Sequence, residues 1–311
     1  MSRHCHAMLA VGLIFVAMAT LLWPLSLFPA RAAPESQPID SPAFLTKAHF
    51  LEPLIAMAPS TSAEDEALEG ALARYEERQK PDDLSALTEF LARHKDSPWR
   101  VALNLNLGLA WKHYGYLSRA LGAFEEAWRA GKEASGTYQK PLVDRAVGEL
   151  ALLHAGLGHK DELEALLAEI GDRPLSNPGG QSVATARQTL WGMENDPAHR
   201  YLCGPLALKF LMMEKPAVTS EELRFVNRYR AGPNGVSLAE LARLAGEKNL
   251  SLTPVFRQAD QPVPVPSIIH WKTGHYAAIL GRENGGYRVR DPVLGMNPRF
   301  VPEGAIEAEA S

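Results

Sequence analysis

Cys203 is the residue of this 311-residue chain whose type and position point most directly to chemistry. It begins an apolar stretch, residues 203–213, that is typical of a buried helix. The free N–H groups and partial positive charge at a helix N-terminus favour the thiolate, which is the nucleophilic form of cysteine. The position is that of a candidate nucleophile, although a cysteine at a helix start more often serves packing.

His275 and Asp291 are the candidate partners of this thiol. Residues 266–280 have the pattern of two short strands joined by a turn at 272–274, with His275 at the start of the second strand. Residues 284–286, Asn-Gly-Gly, are typical of a hairpin turn, and the strand that follows ends at Asp291. The pattern therefore predicts a carboxylate on the neighbouring strand, where it can orient the imidazole.

Four segments occur in a fixed order: Cys203-Gly204-Pro205, residues 234–245, residues 269–276 and residues 289–295. Together they resemble the bacteriocin-processing peptidases, a papain-like cysteine peptidase family that cuts leader peptides after a double glycine. The resemblance covers about residues 195–300 and implies a papain-like α+β fold. It also implies that Cys203 is the nucleophile, His275 the general base and Asp291 the orienting carboxylate, with a preference for glycine on the acyl side.

One departure from the family pattern concerns the oxyanion hole. The family has a glutamine six residues before the cysteine, and this chain has Pro197 there. Losing one such donor typically lowers the rate by about 10²–10³. The candidate replacements are Asn195, His199 and Gln188. Without a replacement, the domain would bind a glycine-containing segment without cutting it.

Gly204 and Trp271 are the candidates for lining the substrate groove, although a strand tryptophan is more often a packing residue. His270 precedes His275 by five positions, so their side chains would lie on opposite faces of a continuous strand. This spacing argues against a shared metal site, and the two cysteines have no paired spacing for zinc. We expect neither a metal nor another cofactor.

Residues 63–172 have apolar residues at the three-to-four spacing of amphipathic helices, and the pattern repeats. Leu107, Gly108, Trp111, Gly115, Ala120, Phe124 and Ala127 are matched at the same relative spacing by Leu150, Ala151, His154, Gly158, Leu163, Leu167 and Ile170. This resembles the tetratricopeptide repeat, with a generic helical hairpin as the alternative. Either arrangement predicts an all-α solenoid whose concave surface binds a protein or peptide partner.

The segments around the repeats are predicted to connect them. Residues 33–62 are rich in Pro, Ser and Ala and indicate a linker with a short docking helix at the apolar patch 50–55. Residues 173–198 begin with turn formers and predict a hinge with a short helix at 183–193. Residues 199–311 form the predicted peptidase domain, and less strand follows Asp291 than the resemblance implies, as in a trimmed domain.

Residues 1–32 have the features of a secretory signal: a basic start, an uncharged apolar run at 7–23 and an Ala-Arg-Ala cleavage site. They predict export to the periplasm or the extracellular space, with an inner-membrane anchor through residues 7–30 as the alternative. Cleavage would remove Cys5 and leave Cys203 as the only cysteine. The 32 Lys and Arg against 36 Asp and Glu give a formal charge of −4, which argues against nucleic acid as a partner.

The sequence thus predicts an exported cysteine peptidase of mixed fold. An all-α repeat region would recruit a peptide or protein substrate or partner, and a papain-like α+β domain would cut after glycine. Two alternatives stay open: a catalytically degenerate binding module, and a cell-wall amidase or acyltransferase with the same order of Cys, His and Asp.

Overall fold

The computed structural model describes residues 50–232, 234–258 and 261–311. The predicted export segment, 1–32, and the first part of the predicted linker, 33–49, lie outside the described residues. In the part that the structure describes, no helix is long and apolar enough to cross a membrane. All described residues belong to one compact unit.

The fold is mixed, with helices in the N-terminal part and an antiparallel sheet near the C-terminus. Within the described residues the N-terminal helices are α1 (Ser62–Glu76), α2 (Ser85–Arg93), α3 (Arg100–Tyr114), α4 (Leu117–Gly131), α5 (Gln139–Leu157), α6 (Lys160–Ile170) and α7 (Gly179–Asn195). Helix α1 packs on α2, α3 on α4, and α5 on α4, α6 and α7. The predicted coarse class, helices followed by an α+β part, is confirmed.

The repeated sequence pattern corresponds to two similar helical hairpins, α3–α4 and α5–α6. Gly115 ends α3 and Gly158 ends α5, and both have the left-handed backbone conformation, with φ of 87° and 80°. The Phe124 ring lies against Gly108, where an added Cβ would come within 2.5 Å of a ring carbon. A small residue is therefore required where the two helices of the first hairpin approach closely.

The C-terminal part contains α8 (Cys203–Met213), α9 (Ser220–Leu223), α10 (Phe225–Arg228), α11 (Leu238–Glu247), β1 (Ser267–Trp271), β2 (His275–Glu283), β3 (Gly286–Asp291), β4 (Gly295–Pro302) and α12 (Glu303–Glu309). The four strands pair antiparallel in chain order. Trp271 pairs with His275 across the β1–β2 turn, and Asp291 with Gly295 across the β3–β4 turn. The sheet therefore places the ends of β1 and β3 beside the start of β2.

Both faces of the sheet are covered. Ile279 and Val289 belong to the same apolar core as helices α1 to α7. Ala278 and Leu280 belong to a second core with Leu208 of α8. Successive residues of a strand point to opposite faces, so β2 contributes to both cores. The N-terminal helices therefore support the sheet directly.

The predicted docking helix is absent from the described part of the linker. Residues 50–60 form no helix, and α1 begins at Ser62 after Thr61, whose side chain accepts from the Glu64 N–H in a capping box. Pro53 explains part of the difference, because a residue before proline disfavours the helical conformation. The apolar patch packs on the core of the helical region without forming a helix or a strand, and the chain bends at residues 51–52.

The predicted hinge, 173–198, contains the 17-residue helix α7, which is longer than the predicted 183–193. Helix α7 packs closely on α5 through glycines. An added Cβ on Gly179 would collide with the Asp144 carbonyl oxygen, and one on Gly148 would come within 2.8 Å of Gly179 Cα. Glycines that indicate a turn in the sequence serve close helix packing here, so the segment is part of the packed helical layer.

The residues after Asp291 form β4 and α12, and the end of α12 joins the sheet to the helical region. Glu309 is fully buried, and its carboxylate accepts from the backbone N–H and the hydroxyl of Ser118, at 3.0 and 2.8 Å. Ser118 lies in the first turn of α4, where N–H groups have no partner within the helix. Lys272 N–H donates to the Glu309 carbonyl at 2.7 Å, which ties α12 to the β1–β2 turn.

Candidate active site

Cys203 is the first residue of α8, and its thiol is half-buried. The sulfur forms hydrogen bonds with the His275 side chain and with the backbone N–H groups of Tyr276 and Gly204. The Gly204 N–H is available because the first N–H groups of a helix have no acceptor within it. The start of α8 and the start of β2 thus each supply an N–H donor that stabilises a negative charge on the sulfur.

The protonation of Cys203 is set by these neighbours. Burial alone would raise the pKa of the thiol, but the hydrogen bond and positive charge of His275 lower it, together with the two backbone N–H groups. The combined effect holds the pKa of Cys203 below its ordinary value. The site therefore favours the thiolate.

His275 lies at the start of β2 and is 3% exposed. Its Nε2 is 2.9 Å from Asp291 Oδ1, which leaves Nδ1 for the thiol. Burial by itself would lower the pKa of His275, but the Asp291 carboxylate and the Cys203 thiolate outweigh it and raise the pKa to about 10. The two shifts together favour the pair of a thiolate and an imidazolium.

Asp291 is held in place by further donors. Its Oδ1 accepts from the Val293 N–H at 2.9 Å, and its Oδ2 accepts from the Trp271 indole N–H at 3.1 Å. Both Asp291 and Trp271 are essentially inaccessible to solvent. The expectation that Trp271 lines the groove is wrong, because β1 turns this side chain toward the core under the N-terminal helices. Trp271 positions the carboxylate that in turn orients His275.

A cleft of about 1040 Å³ opens at Cys203. One wall is residues 157–162, the turn between α5 and α6 in the helical region. Residues 234–237 and Glu240 also line the cleft, and the β1–β2 hairpin contributes His270, Lys272, Thr273, Gly274 and Tyr276. The volume is that of a typical ligand site, and the helical region contributes directly to it.

Gly204 lies behind the cleft and does not line it. The backbone is buried, and an added Cβ would come within 3.4 Å of the Tyr276 ring and 3.6 Å of Val236. The residue lets α8 pack closely on β2 next to Cys203. Its contribution to the site is this packing and the N–H that it donates to the sulfur.

The three oxyanion candidates do not reach the cleft. Asn195 is exposed, and its Nδ2 donates to the Trp191 carbonyl at 2.8 Å. His199 pairs through Nδ1 with the Asp196 carboxylate at 2.6 Å, and Gln188 is exposed on α7. Asn195 and Gln188 lie on α7, which packs on α5, and His199 lies in the turn after α7; none of the three lines the cleft.

Asn234 is the residue that sequence reasoning did not single out as a donor. Among the described residues that line the cleft, it alone has a side-chain amide, and it is exposed, whereas Cys203 in the same cleft is half-buried. Its position in an Asn-Gly turn just before α11 was the available signal. An amide at this place can donate to an oxyanion.

His270 also lines the cleft, with its ring 4.7 Å from that of Tyr276 and its Nδ1 2.6 Å from Ser311 Oγ. Burial lowers the pKa of His270, and the charge of His275 lowers it further. In the described part of the chain, no group of three or more His, Cys, Asp or Glu could hold a metal ion.

A second histidine pair joins the helical region to the cleft. His159 Nε2 is 2.8 Å from the Thr273 carbonyl oxygen in the β1–β2 turn, and its Nδ1 is 3.2 Å from His154 Nδ1. The carbonyl can only accept, so His159 donates through Nε2. Burial, followed by the neighbouring His159, lowers the pKa of His154 to about 4. His154 is therefore uncharged near neutral pH.

The site thus brings a thiol, an imidazole and a carboxylate together beside an open cleft. Such a set can transfer an acyl group through a covalent thioester. Comparisons of the chain with protein-family models, with curated proteins and with solved structures find no match.

Proposed function

We propose that this protein is a cysteine peptidase with papain-like chemistry. The observation that carries the proposal is the hydrogen-bonded series from Cys203 through His275 to Asp291 at the edge of a cleft. The resemblance of the four sequence segments to the bacteriocin-processing peptidases supports the same assignment of roles. The preference for glycine on the acyl side is part of the proposal and comes from that resemblance.

The first half of the reaction forms a thioester. The Cys203 thiolate attacks the carbonyl carbon of the scissile bond, and the carbonyl electron pair moves onto oxygen. When the oxyanion collapses, the C–N bond breaks, and the imidazolium of His275 gives its proton from Nδ1 to the leaving amine. The products of this half are the acylated cysteine and a free amine.

The second half restores the enzyme. His275, now neutral, removes a proton from a water molecule whose oxygen attacks the thioester carbon. The C–S bond breaks, the carboxylic acid product leaves and the sulfur returns to the thiolate. Asp291 holds the ring throughout and stabilises the imidazolium.

The oxyanion needs donors in the absence of the family glutamine. The backbone N–H of Cys203, at the start of α8, has no acceptor within the helix. The Asn234 amide, which also lines the cleft, is the proposed second donor. Together they would replace the interaction that Pro197 cannot make.

The proposed substrate is an exported peptide or protein, and the helical region recruits it. The turn at 157–162 forms one wall of the cleft, so a bound chain touches both parts of the molecule. Export rests on the signal-like residues 1–32. The binding-module alternative is favoured by one observation, Pro197 in place of the family glutamine.

Turnover of fluorogenic peptides with glycine on the acyl side tests the proposal, with peptides that carry leucine there as the comparison. We expect hydrolysis by the wild type, none by Cys203→Ala, and a mass increase on Cys203 when the reaction is quenched. A binding module would retain the peptide without cutting it or acquiring the mass. Cleavage of cell-wall peptides instead would indicate the amidase.

A further inference from the structure

The β1–β2 turn, which leads directly into His275, is held from outside the hairpin. Its own hydrogen bond joins the Gly274 N–H to the Trp271 carbonyl at 2.9 Å, and Gly274 is left-handed, with φ of 70°. This is the pattern of a three-residue hairpin loop that ends in a left-handed residue. The Thr273 carbonyl takes no part in that bond and accepts from His159 Nε2 at 2.8 Å. The helical region thus supplies a donor that the hairpin does not.

The end of α5 determines where His159 lies. Gly158 is left-handed and lets the His159 N–H donate back to the His154 carbonyl at 3.0 Å. This closure is a Schellman motif, which brings the side chains on either side of the glycine together. The side chains that meet here are two imidazoles, whose Nδ1 atoms are 3.2 Å apart.

The hydrogen bonds of the two imidazoles run in one direction. Because neutral His159 donates to Thr273 through Nε2, its Nδ1 has no proton and accepts from His154 Nδ1. His154 is suited to this role, since burial lowers its pKa to about 4 and leaves the ring with a single proton. The hydrogen bond at one ring nitrogen of a histidine sets the protonation of the other. His154 therefore selects the tautomer of His159 that donates to the turn.

The first hairpin shows that the helix closure itself needs no imidazole. Its equivalent residues, on either side of Gly115, are Trp111 and Tyr116, and the Tyr116 N–H donates to the Trp111 carbonyl at 2.9 Å. The same closure is thus made with two large aromatic side chains. The α5–α6 hairpin has two histidines at these positions, and one of them bonds to the β1–β2 turn. The imidazoles therefore serve the contact with the turn, since helix packing does not require them.

We infer that His159 is a positioning residue, which holds the β1–β2 turn so that His275 stays within hydrogen-bond reach of Cys203. The inference rests on the proposed function and deepens it, because it makes the helical region part of the catalytic geometry. His275 is two residues after Thr273, so a change in the direction of the Thr273 carbonyl rotates the backbone that carries the imidazole. Misplacement of a reacting group by about 1 Å can lower the rate by about 10².

Other contacts keep the turn attached when His159 is altered. The Lys272 N–H still donates to the Glu309 carbonyl at 2.7 Å, and Trp271 still pairs with His275 across the hairpin. Loss of His159 should therefore shift the turn without releasing it. We expect a loss of about tenfold in kcat, which is smaller than the loss for a full displacement.

The test compares His159→Ala and His159→Gln with the wild type in the full chain. Alkylation by iodoacetamide gives the apparent pKa of Cys203, and steady-state hydrolysis of a glycine peptide gives kcat and KM. In His159→Ala the apparent pKa should rise and kcat should fall about tenfold, since the imidazolium of His275 is held less well against the sulfur.

His159→Gln should restore most of both quantities. The glutamine amide is uncharged and can donate to the Thr273 carbonyl, so this variant separates the hydrogen bond from any charge on the imidazole. His113→Ala is the matched control and should change neither quantity. His113 is an exposed histidine of α3 that does not line the cleft, and its Nδ1 is 3.1 Å from Arg299 Nη1.

The inference and the proposed function fail in different ways. Peptide hydrolysis by the wild type, with kcat and the apparent pKa unchanged in His159→Ala, would overturn the inference and leave the peptidase standing. Equal losses in His159→Ala and His159→Gln, or a change confined to KM, would also overturn it. A wild type that cuts no peptide would refute the proposed function. A raised apparent pKa in His159→Ala that recovers in His159→Gln would still support the positioning of His275.

If His159→Ala does not fold, nitrogen-15 NMR of the histidine rings in the wild type decides. A proton on His159 Nε2 near neutral pH supports the inference. A neutral ring with its proton on Nδ1 contradicts it, because no donor would then face the Thr273 carbonyl.

Discussion

The thiol and the imidazole at this site cannot be treated as independent groups. Each favours the charged form of the other, so the pKa of Cys203 is lowered while the pKa of His275 is raised to about 10. The ion pair exists between the two titrations, which belong to the pair and not to either residue alone. The rate of peptide hydrolysis should therefore rise with pH through the lower titration, which forms the thiolate. It should fall through the upper titration, which removes the imidazolium proton.

Alkylation of Cys203 by iodoacetamide should follow the lower titration. We expect an apparent pKa below the value of about 8.5 of an unperturbed thiol. In His275→Ala the apparent pKa should rise, because the positive charge and the hydrogen bond are lost. His270→Ala serves as the control, since His270 is not among the groups that lower the pKa of the thiol. An apparent pKa near 8.5 that does not respond to His275→Ala would refute the ion pair.

Trp271→Phe should reduce turnover without weakening substrate binding. The substitution keeps an aromatic ring but removes the N–H that donates to Asp291. Loss of this buried hydrogen bond should lower kcat about tenfold, and KM should stay unchanged because Trp271 does not line the cleft. Trp191→Phe is the comparison, since Trp191 is 62% exposed. A change confined to KM would argue against the positioning role.

Asn234→Ala tests the proposed oxyanion donor. Removing such a donor typically lowers kcat by about 10²–10³, and the same loss is expected here. Asn195→Ala should leave kcat within about twofold, because its amide bonds to the Trp191 carbonyl away from the cleft. Steady-state kinetics with one peptide substrate compares the two. Equal small effects would exclude Asn234 from the oxyanion hole.

At the scale of elements, the approach of α7 to α5 determines which side chains reach the cleft. The close contact requires the glycine pair Gly148 and Gly179, and it directs Asn195 and Gln188 to solvent. The sequence pattern could predict α7 only in part, because its glycines are equally typical of a turn. Their role depends on the neighbouring helix, which lies far away in the chain.

Gly179→Ala should destabilise the fold, since the added methyl group collides with the Asp144 carbonyl. Overpacking of this kind typically costs about 1–3 kcal/mol. Gly122→Ala in α4 is the matched control, as an added Cβ there has nothing within 4 Å. It should be neutral or stabilising by up to about 1 kcal/mol, because alanine has the better helix propensity. Urea unfolding of the two variants and the wild type provides the comparison, and equal stabilities would contradict the close contact.

At the scale of the whole molecule, the helical region is part of the site's support. It covers one face of the sheet, contributes one wall of the cleft and is bonded to the β1–β2 turn through His159. The buried Glu309 carboxylate adds a second connection, at the start of α4. The two parts should therefore unfold together.

Glu309→Ala should lower the unfolding free energy by about 1–3 kcal/mol, because it removes a buried carboxylate that accepts two hydrogen bonds from Ser118. Glu303→Ala removes a carboxylate of the same short helix from an exposed pair with Arg282, and should cost at most about 1 kcal/mol. Thermal unfolding followed by circular dichroism measures both. A single cooperative transition is expected, and two separate transitions would show that the helical region and the sheet are independent.

Local features were determined by the sequence alone. The glycines that end α3 and α5, the start of α8 at Cys203 and the strand order that brings His275 next to Asp291 all follow from short-range conformational preferences and hairpin geometry. Only the tertiary structure decided the burial of Trp271, the presence of Asn234 in the cleft and the packing of residues 50–57 on the helical core without a helix. These features depend on contacts between residues that are far apart in the chain. The periodicity of the sequence specifies local structure and does not specify those contacts.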